Sequence, residues 1–443
     1  MKLIKKTIRE ALKTPGFSLL YIVGVAFTIA FTMIYGMLLY AQLAPVYPEY
    51  DRDQTVYINT VLLKNDRSSS SSGLSSAFID EFLSDSIPAI EQITTALNWN
   101  GGYPMVQPEG NGPEFHVECR HVDPSFFKFY KFEFLAGKPV TQADFDSNIS
   151  KVVISDKVAR RLFGDVEEAV GKDISIDHVK HRIHGVFREG SALCLDSYGE
   201  VFFPALIGTD YNQEWPRQYM GPLKAIIKVK PGKETELREY LRDVCRRINA
   251  VDTTAPKLYL PTVMSHSEHV LAEPKIDWSK DETLQIRKVA TFLDLWKPFL
   301  IALLVLLIIP ALNISGLIGA RMDRMKSEIG IRRCFGAKRP RLMNMVITEN
   351  LILTLIGGVV GLISAWLIAT FAGTFLLELT PLAYKTGSEF GTSASFLTGE
   401  MAFAPLLFAL TLGVCLVLNI ISAWIPAWNA MRRQIIESLN TKR

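Results

Sequence analysis

The sequence predicts an α+β membrane protein in which four transmembrane helices carry one large extracytoplasmic domain. Three observations predict it. Four apolar runs, at 17–41, 297–320, 345–377 and 403–428, are each long enough for a bilayer core near 30 Å, which takes about 20 helical residues. Between the first and second runs, residues 42–296 hold no further apolar run and alternate strand-like with helix-like patterns. Basic residues crowd one side of every run, so the positive-inside rule selects a single topology with both ends inside. Composition agrees: 49% of the residues are hydrophobic while 21% are still charged, as a few spans plus a sizeable soluble part require.

The chain opens with an amphipathic helix at 1–16, on which Leu3, Ile4, Ile8, Ala11 and Leu12 share one face and Lys2, Lys5, Lys6, Arg9 and Lys13 supply inside charge. The uncharged run 17–41 is too long for a cleaved signal, whose apolar core is about 7–15 residues, and reads as a retained first span.

Within 42–296 the patterns give a strand at Thr55–Leu62, a serine-dense flexible loop at Ser68–Ser76, a helix at Ser75–Ser86 and a strand at Gln92–Trp99. A strand at Lys151–Ser155 leads into a helix to Phe163, a turn at Gly164-Asp165 and a hairpin. A strand at Lys224–Val229, a turn at Pro231-Gly232, a helix at Glu234–Ile248 and a strand at Lys257–Pro261 complete a second β-α-β unit.

The second span ends on a loop, 321–344, where Arg321, Arg324, Lys326, Arg332, Arg333, Lys338, Arg339 and Arg341 face only Asp323 and Glu328. Inside this loop Ile329, Ile331 and Phe335 are apolar, and Glu328 and Arg332 stand four apart, close enough to pair on one helical face. Gly330 and Arg333 complete the segment, Gly336-Ala337 suits a helix stop, and Pro340 suits the start of the next helix. The expectation is a short helix under the membrane with an apolar stripe open to a partner. The third span, 345–377, carries Gly357, Gly358 and Gly361, a small-residue pattern for close helix packing within a subunit or across a dimer. A polar external loop, 378–402, precedes the fourth span, 403–428, whose Trp424 and Trp428 suit a membrane interface, and a basic tail, 429–443, ends inside.

The pattern Glu328-Ile-Gly-Ile-Arg-Arg-x-x-Gly336-Ala337, followed by Glu349 at the head of a glycine-rich span, resembles the FtsX-domain permeases of the MacB type. Stretches of the domain resemble the same family's periplasmic core: Val122-Asp-Pro-Ser-Phe-Phe127, Phe134-Leu-Ala-Gly-Lys138, Lys151–Ser155, Ala159–Gly164, Val170-Gly-Lys172 and Ile183-His-Gly-Val186. The resemblance implies a ferredoxin-like β-α-β porter part, about 50–114 and 220–275, with an inserted α+β subdomain at about 115–219. It also implies that an ABC ATPase docks on Glu328, Ile329, Gly330, Ile331, Arg332, Arg333, Phe335, Gly336 and Ala337, with ATP and magnesium bound by that partner. Further implied partners are a second permease copy, as homodimer or related heterodimer, a membrane-fusion protein and an outer-membrane channel. The implied location is the bacterial inner membrane, with the large domain in the periplasm.

The sequence has no phosphate-cradling G-x-x-x-x-G-K-[ST] motif and no nucleophile, zincin or paired-carboxylate motif, so the chain is expected to be a permease, not an enzyme. Its basic clusters hug the spans, where membrane lipid explains them without nucleic acid. His178, His181 and His184 read as histidines on a solvated hairpin, not a metal site; His266 and His269 could share a helical face, but they too read as solvated side chains rather than ligands. The five scattered cysteines, an odd number, exclude a complete disulfide set; Cys119 and Cys194 could pair outside the membrane, but free thiols are the expected state. The function expected is ATP-powered motion of the domain that drives export of a periplasmic or membrane-derived substrate. The alternative is an FtsX-like regulator of cell-wall hydrolases that transports nothing.

Overall fold

A computed structural model describes residues 15–65, 67–84, 87–97, 104–109, 112–146, 151–204, 219–252, 255–260, 263–271 and 338–371, with isolated residues between 297 and 335 and between 408 and 428. It divides into two compact units. One comprises residues 1–40, 297–373 and 399–443, and the other 41–296 and 374–398.

In the first unit, helix α1 (Pro15–Leu43) and a long C-terminal helix (Arg339–Phe371) contain, among the described residues, two stretches long and apolar enough to cross a membrane, Ser18–Leu43 and Ile347–Phe371. The sequence places a second and a fourth span at 297–320 and 403–428. Their described residues are helical, with Leu300, Ile301, Leu304, Leu410 and Val417 exposed and Thr411 buried, and the remainder lies outside the described residues. The same holds for the amphipathic segment 1–14. Pro340 falls in the first turn of the C-terminal helix, where its missing N–H costs nothing.

The second unit is built on one mixed sheet. The strands are β1 (Thr55–Ile58), β2 (Val61–Lys64), β3 (Ser69–Leu74), β4 (Ile90–Leu97), β5 (Met105–Pro108), β6 (Phe115–His116), β7 (Cys119–Val122), β8 (Phe134–Gly137), β9 (Lys151–Ser155), β10 (Asp173–Ile176), β11 (Val179–Phe187), β12 (Val201–Pro204), β13 (Met220–Gly221), β14 (Leu223–Val229), β15 (Lys257–Tyr259) and β16 (Val263–Ser265). The helices are α2 (Ser76–Phe82), α3 (Phe126–Phe129), α4 (Gln142–Asp146), α5 (Asp156–Phe163), α6 (Glu234–Val251) and α7 (His266–Leu271), so the C-terminal helix is α8.

The main path of the sheet runs β15-β2-β3-β14-β4-β7-β12-β9-β11-β10-β5-β6. Chain ends and middle thus build different halves. In one half α2 and α6 lie on strands from both ends of the domain, burying Ile58, Leu74, Phe78, Leu237, Leu241 and Val244 together. In the other half α5 covers β9–β12 through Val158, Ala159 and Leu162. A third cluster joins them: Tyr57 and Ile226 from the first half meet Phe126, Phe187 and Phe202 from the second. Phe126 and Phe202 pack with their rings tilted by 47° and centroids 5.4 Å apart.

The motifs carrying the family resemblance have plain structural work. Asp123 accepts hydrogen bonds from Thr94 Oγ1, Thr95 N and Oγ1, Ser125 Oγ and Phe126 N at 2.7–3.0 Å, so its carboxylate joins β4 to the start of α3. Gly137, at φ +69°, and Gly185 stand where β8 crosses β11 so closely that a Cβ on either would strike the other strand's backbone. The hairpin turn between β10 and β11 is Asp177-His178, both at positive φ, the geometry a two-residue hairpin favours.

Two sequence expectations need correction. The serine-dense 68–76 is no flexible loop: Ser69–Leu74 is strand β3, paired antiparallel with β2. Its backbone bonds outweigh serine's low strand preference, and Asn65 organises the turn by accepting from Arg67 N and Ser68 N. The strand expected at Thr55–Leu62 is two strands, interrupted at Asn59-Thr60, that pair with different neighbours, β14 and β3.

Candidate functional site

The first unit holds a close helix pair. Along α8, Leu353, Gly357, Gly361, Ala365 and Ala369 recur every fourth residue and are buried, whereas Ile356, Val359, Val360, Ile363 and Trp366 are exposed. A Cβ on Gly361 would lie 2.6 Å from the Ala26 carbonyl oxygen, and one on Gly357 2.9 Å from Val25 Cβ. One on Gly358 would lie 2.8 Å from Leu412 Cδ1. Gly357 and Gly361 therefore face α1 of the same chain, with Gly358 turned to the last apolar segment. A buried hydrogen bond, Tyr21 OH to Thr354 Oγ1 at 3.0 Å, fixes the same pair one turn away. Glycine lets backbones approach and gain dispersion contacts that lipid cannot replace.

In the basic loop, Ile331 and Phe335 are described and Glu328, Ile329, Gly330, Arg332, Arg333, Gly336 and Ala337 lie outside the described residues. Phe335 N–H donates to Ile331 O at 3.1 Å, a helical i to i+4 bond. Ile331 is 51% exposed and Phe335 88% exposed.

The second unit contains a buried polar joint that sequence reasoning missed. It forms around residues 41–57, where the last turn of α1 enters the domain. Arg52, 3% exposed, donates from Nη1 to Ala41 O at 2.7 Å and Ala44 O at 2.6 Å, satisfying carbonyls that a helix C-terminus leaves open. Its Nε donates to Glu49 Oε2 at 2.7 Å, and Nη2 lies 3.2 Å from Cys194 Sγ. The other Glu49 oxygen accepts from Ser197 N and Oγ. Burial raises the Glu49 carboxyl and is the largest single influence, but Arg52, His266 and the Ser197 hydrogen bond together hold it below the ordinary carboxylate range.

Beside this pair, His266 Nε2 lies 2.7 Å from Gln42 O and its Nδ1 lies 3.0 Å from Tyr57 OH. A carbonyl can only accept, so Nε2 carries the proton and Nδ1 accepts from the tyrosine. His269 stacks on Tyr57 with ring centroids 4.3 Å apart, and its Nε2 lies 2.9 Å from Asp196 Oδ2, whose other oxygen takes Lys224 Nζ at 2.7 Å. Asp196 is fully buried; burial would raise it, yet Lys224 and His269 hold it well below the usual carboxylate range. His266 and His269 are thus members of a buried network rather than solvated side chains. The two do share a short helix, α7, and what the sequence pattern did not reveal is that this helix packs beside β1.

Cys119 and Cys194 are separate buried free thiols, and burial pushes Cys194 up to about 12. His184 lies 3.8 Å from Asp144, and His181 packs edge-on to Phe203. The signal that could have exposed the joint is Glu49-x-x-Arg52, a salt-bridge spacing immediately after a span.

Comparison with known proteins places this architecture. The family model of the MacB-like periplasmic core domain matches residues 18–244, and that of the FtsX-like permease C-terminal region matches residues 300–435. The macrolide export ATP-binding/permease proteins MacB of Escherichia coli (strain K12) and Shigella boydii serotype 4 (strain Sb227) are each 23% identical over 338 residues, covering 74% of this chain and 44% of the relative. The chain therefore spans less than half the length of these curated relatives. Among solved structures, the periplasmic region of MacB from Actinobacillus actinomycetemcomitans aligns over 49% of this chain and 91% of its own, at 14% identity and a TM-score of 0.34. The extracellular domain of the noncanonic ABC-type transporter YknZ from Gram-positive bacteria covers 46% of this chain and 97% of its own, at 14% identity and a TM-score of 0.32. With one family model on the domain and another on the C-terminal helices, together accounting for most of its length, the chain belongs to the MacB/FtsX-type ABC transporter permeases.

Proposed function

We propose that this chain is the permease subunit that converts ATP hydrolysis on a separate ABC ATPase, which binds ATP and magnesium, into motion of its extracytoplasmic domain. The motion drives export of a substrate taken from the periplasm or the membrane. Four spans, both termini inside, the large domain outside and a second permease copy complete the working assembly.

The observation that supports this reading best is the exposure of Ile331 and Phe335 on one helical turn of a loop otherwise built of charge. An apolar pair held on an ordered turn fits a groove on a partner protein, the usual mode for a short helix. Motion delivered there enters α8 within a few residues, since that helix begins at Arg339. It passes to α1 through the glycine contacts, and α1 is one continuous helix whose last turn is gripped by Arg52 and His266 in the domain.

The test is reconstitution of the chain with its cognate ATPase. The wild type is expected to capture the ATPase and stimulate its hydrolysis, whereas Phe335→Ala and Glu328→Lys insert normally but do neither. Normal capture by both variants would return the loop to a simple membrane anchor.

A further inference from the structure

We propose that His266 is a proton-operated latch on the first helix: neutral, it ties the last turn of α1 to the domain core, and protonated, it leaves its site and lets that turn loosen. The inference concerns regulation of the joint and holds with or without an ATPase partner.

The geometry makes the neutral form specific. Both ring nitrogens are used, Nε2–H toward Gln42 O and Nδ1 toward the Tyr57 hydroxyl, and His266 is 6% exposed. A second proton, on Nδ1, would face a hydroxyl already pointing its own hydrogen there. The hydroxyl would have to turn away, inside a site where Tyr57 is fully buried.

Charge bookkeeping points the same way. The groups facing His266 are Glu49 and Arg52 from the segment after α1, Tyr57 from β1, Asp196 from the loop before β12, and His269 from α7 itself. Arg52 balances Glu49, and Lys224 balances Asp196. His269 Nδ1 lies 3.3 Å from the amide nitrogen of Asn59 and its Nε2 2.9 Å from Asp196 Oδ2, so both its ring nitrogens are engaged away from His266. The joint is therefore closed in charge, and an imidazolium at His266 would be an uncompensated buried cation. Burial is also the largest influence on the His266 ring, which it holds below the ordinary histidine value of 6.5. A depressed histidine contributes stability that is present above about pH 6.5 and lost as pH falls through the folded value. Glu49 and Asp196 oppose this shift and Arg52 reinforces it.

The joint lies in the unit that the proposed topology sets outside the membrane, where acidity follows the surroundings. Acid would then slacken the tie between the domain and the helix meant to drive it.

The test uses the full chain in lipid nanodiscs without ATP or ATPase, with backbone hydrogen exchange corrected for intrinsic rates between about pH 8 and pH 5. Protection of residues 41–52 and 263–271 is expected to fall about tenfold per pH unit below about pH 6.5. Exchange of the imidazole C2 hydrogens in the same samples reads each histidine's own titration, and the midpoint of loosening is expected to match that of His266. His266→Gln, which can donate to Gln42 O and accept from Tyr57 but cannot take a proton, is expected to hold both segments protected at all pH values. Loss of protection that tracks His269 instead, or that persists unchanged in His266→Gln, would overturn the latch. So would protection in the wild type that does not vary with pH.

Discussion

Replacing Arg52 by methionine removes the charge at the centre of the joint while keeping most of the apolar stem. The variant leaves Glu49 as a buried carboxylate with only the Ser197 donors, and it strips Ala41 O and Ala44 O of their guanidinium donor. Taking one partner from a buried ion pair costs about 3–5 kcal/mol, because the remaining charge has no water to turn to. Each carbonyl left unsatisfied adds a penalty of about 1–3 kcal/mol before relaxation, so the upper part of that range is expected. At about 1.4 kcal/mol per decade, amide protection around residues 41–58 falls by roughly two to four orders of magnitude. Native-state hydrogen exchange of the full chain reads this directly. The double variant Glu49→Gln/Arg52→Met removes the stranded charge and should recover a large part of the loss. Arg246→Met is the control: its pair with Asp243 is about two-thirds exposed on both sides, so its loss costs at most about 1 kcal/mol. If Arg52→Met lowers protection less than tenfold, the joint does not grip the helix and the reasoning fails.

Other expectations are as direct. Gly361→Leu forces a side chain into the Ala26 carbonyl and Ile29 Cβ; overpacking of this kind costs about 1–3 kcal/mol. It should lower the detergent melting temperature with membrane insertion intact, while unchanged stability would place Gly361 against lipid. Glu200, pushed up to about 7 chiefly by burial, contributes stability that is present below its ordinary value of 4.5 and lost as pH rises through about 7. Glu200→Gln should remove that fall from a plot of denaturation midpoint against pH, and an unchanged slope would assign it to another group. In a cysteine-free background, Ser71→Cys should react with an impermeant thiol reagent from outside and Lys338→Cys only after the membrane is opened. Labelling of Lys338→Cys in intact cells would contradict the ends-inside topology.

Local features were legible in the sequence wherever a pattern of near neighbours sets them. Apolar run length marks α1 and the body of α8, short apolar runs mark β9 and β14, and Ser155 and Gly164 bracket α5 as cap and stop. The glycine spacing at 357 and 361 announces a close approach, though not that α1 is the neighbour. Contacts made across the fold were not legible. Arg52 meets Cys194, and His266 meets Gln42, over separations of 142 and 224 residues. A charged Glu-Tyr-Asp-Arg-Asp segment reads from composition as a solvated loop, and only the fold that places β1, β14 and β16 side by side buries its Glu49 and Arg52. The serines of β3 failed for a related reason: their exposed alternation looks like low complexity until β2 supplies the backbone partners.

The central claim is that ATP turnover on a partner moves the domain through α8 and α1. The most direct measurement is the distance distribution between spin labels on Ser71→Cys and Lys338→Cys, in the chain reconstituted with its ATPase. Trapping the ATPase in its closed, nucleotide-bound state should shift that distribution, and Phe335→Ala should abolish the shift. An unshifted distribution under conditions where the chain stimulates hydrolysis would contradict the account.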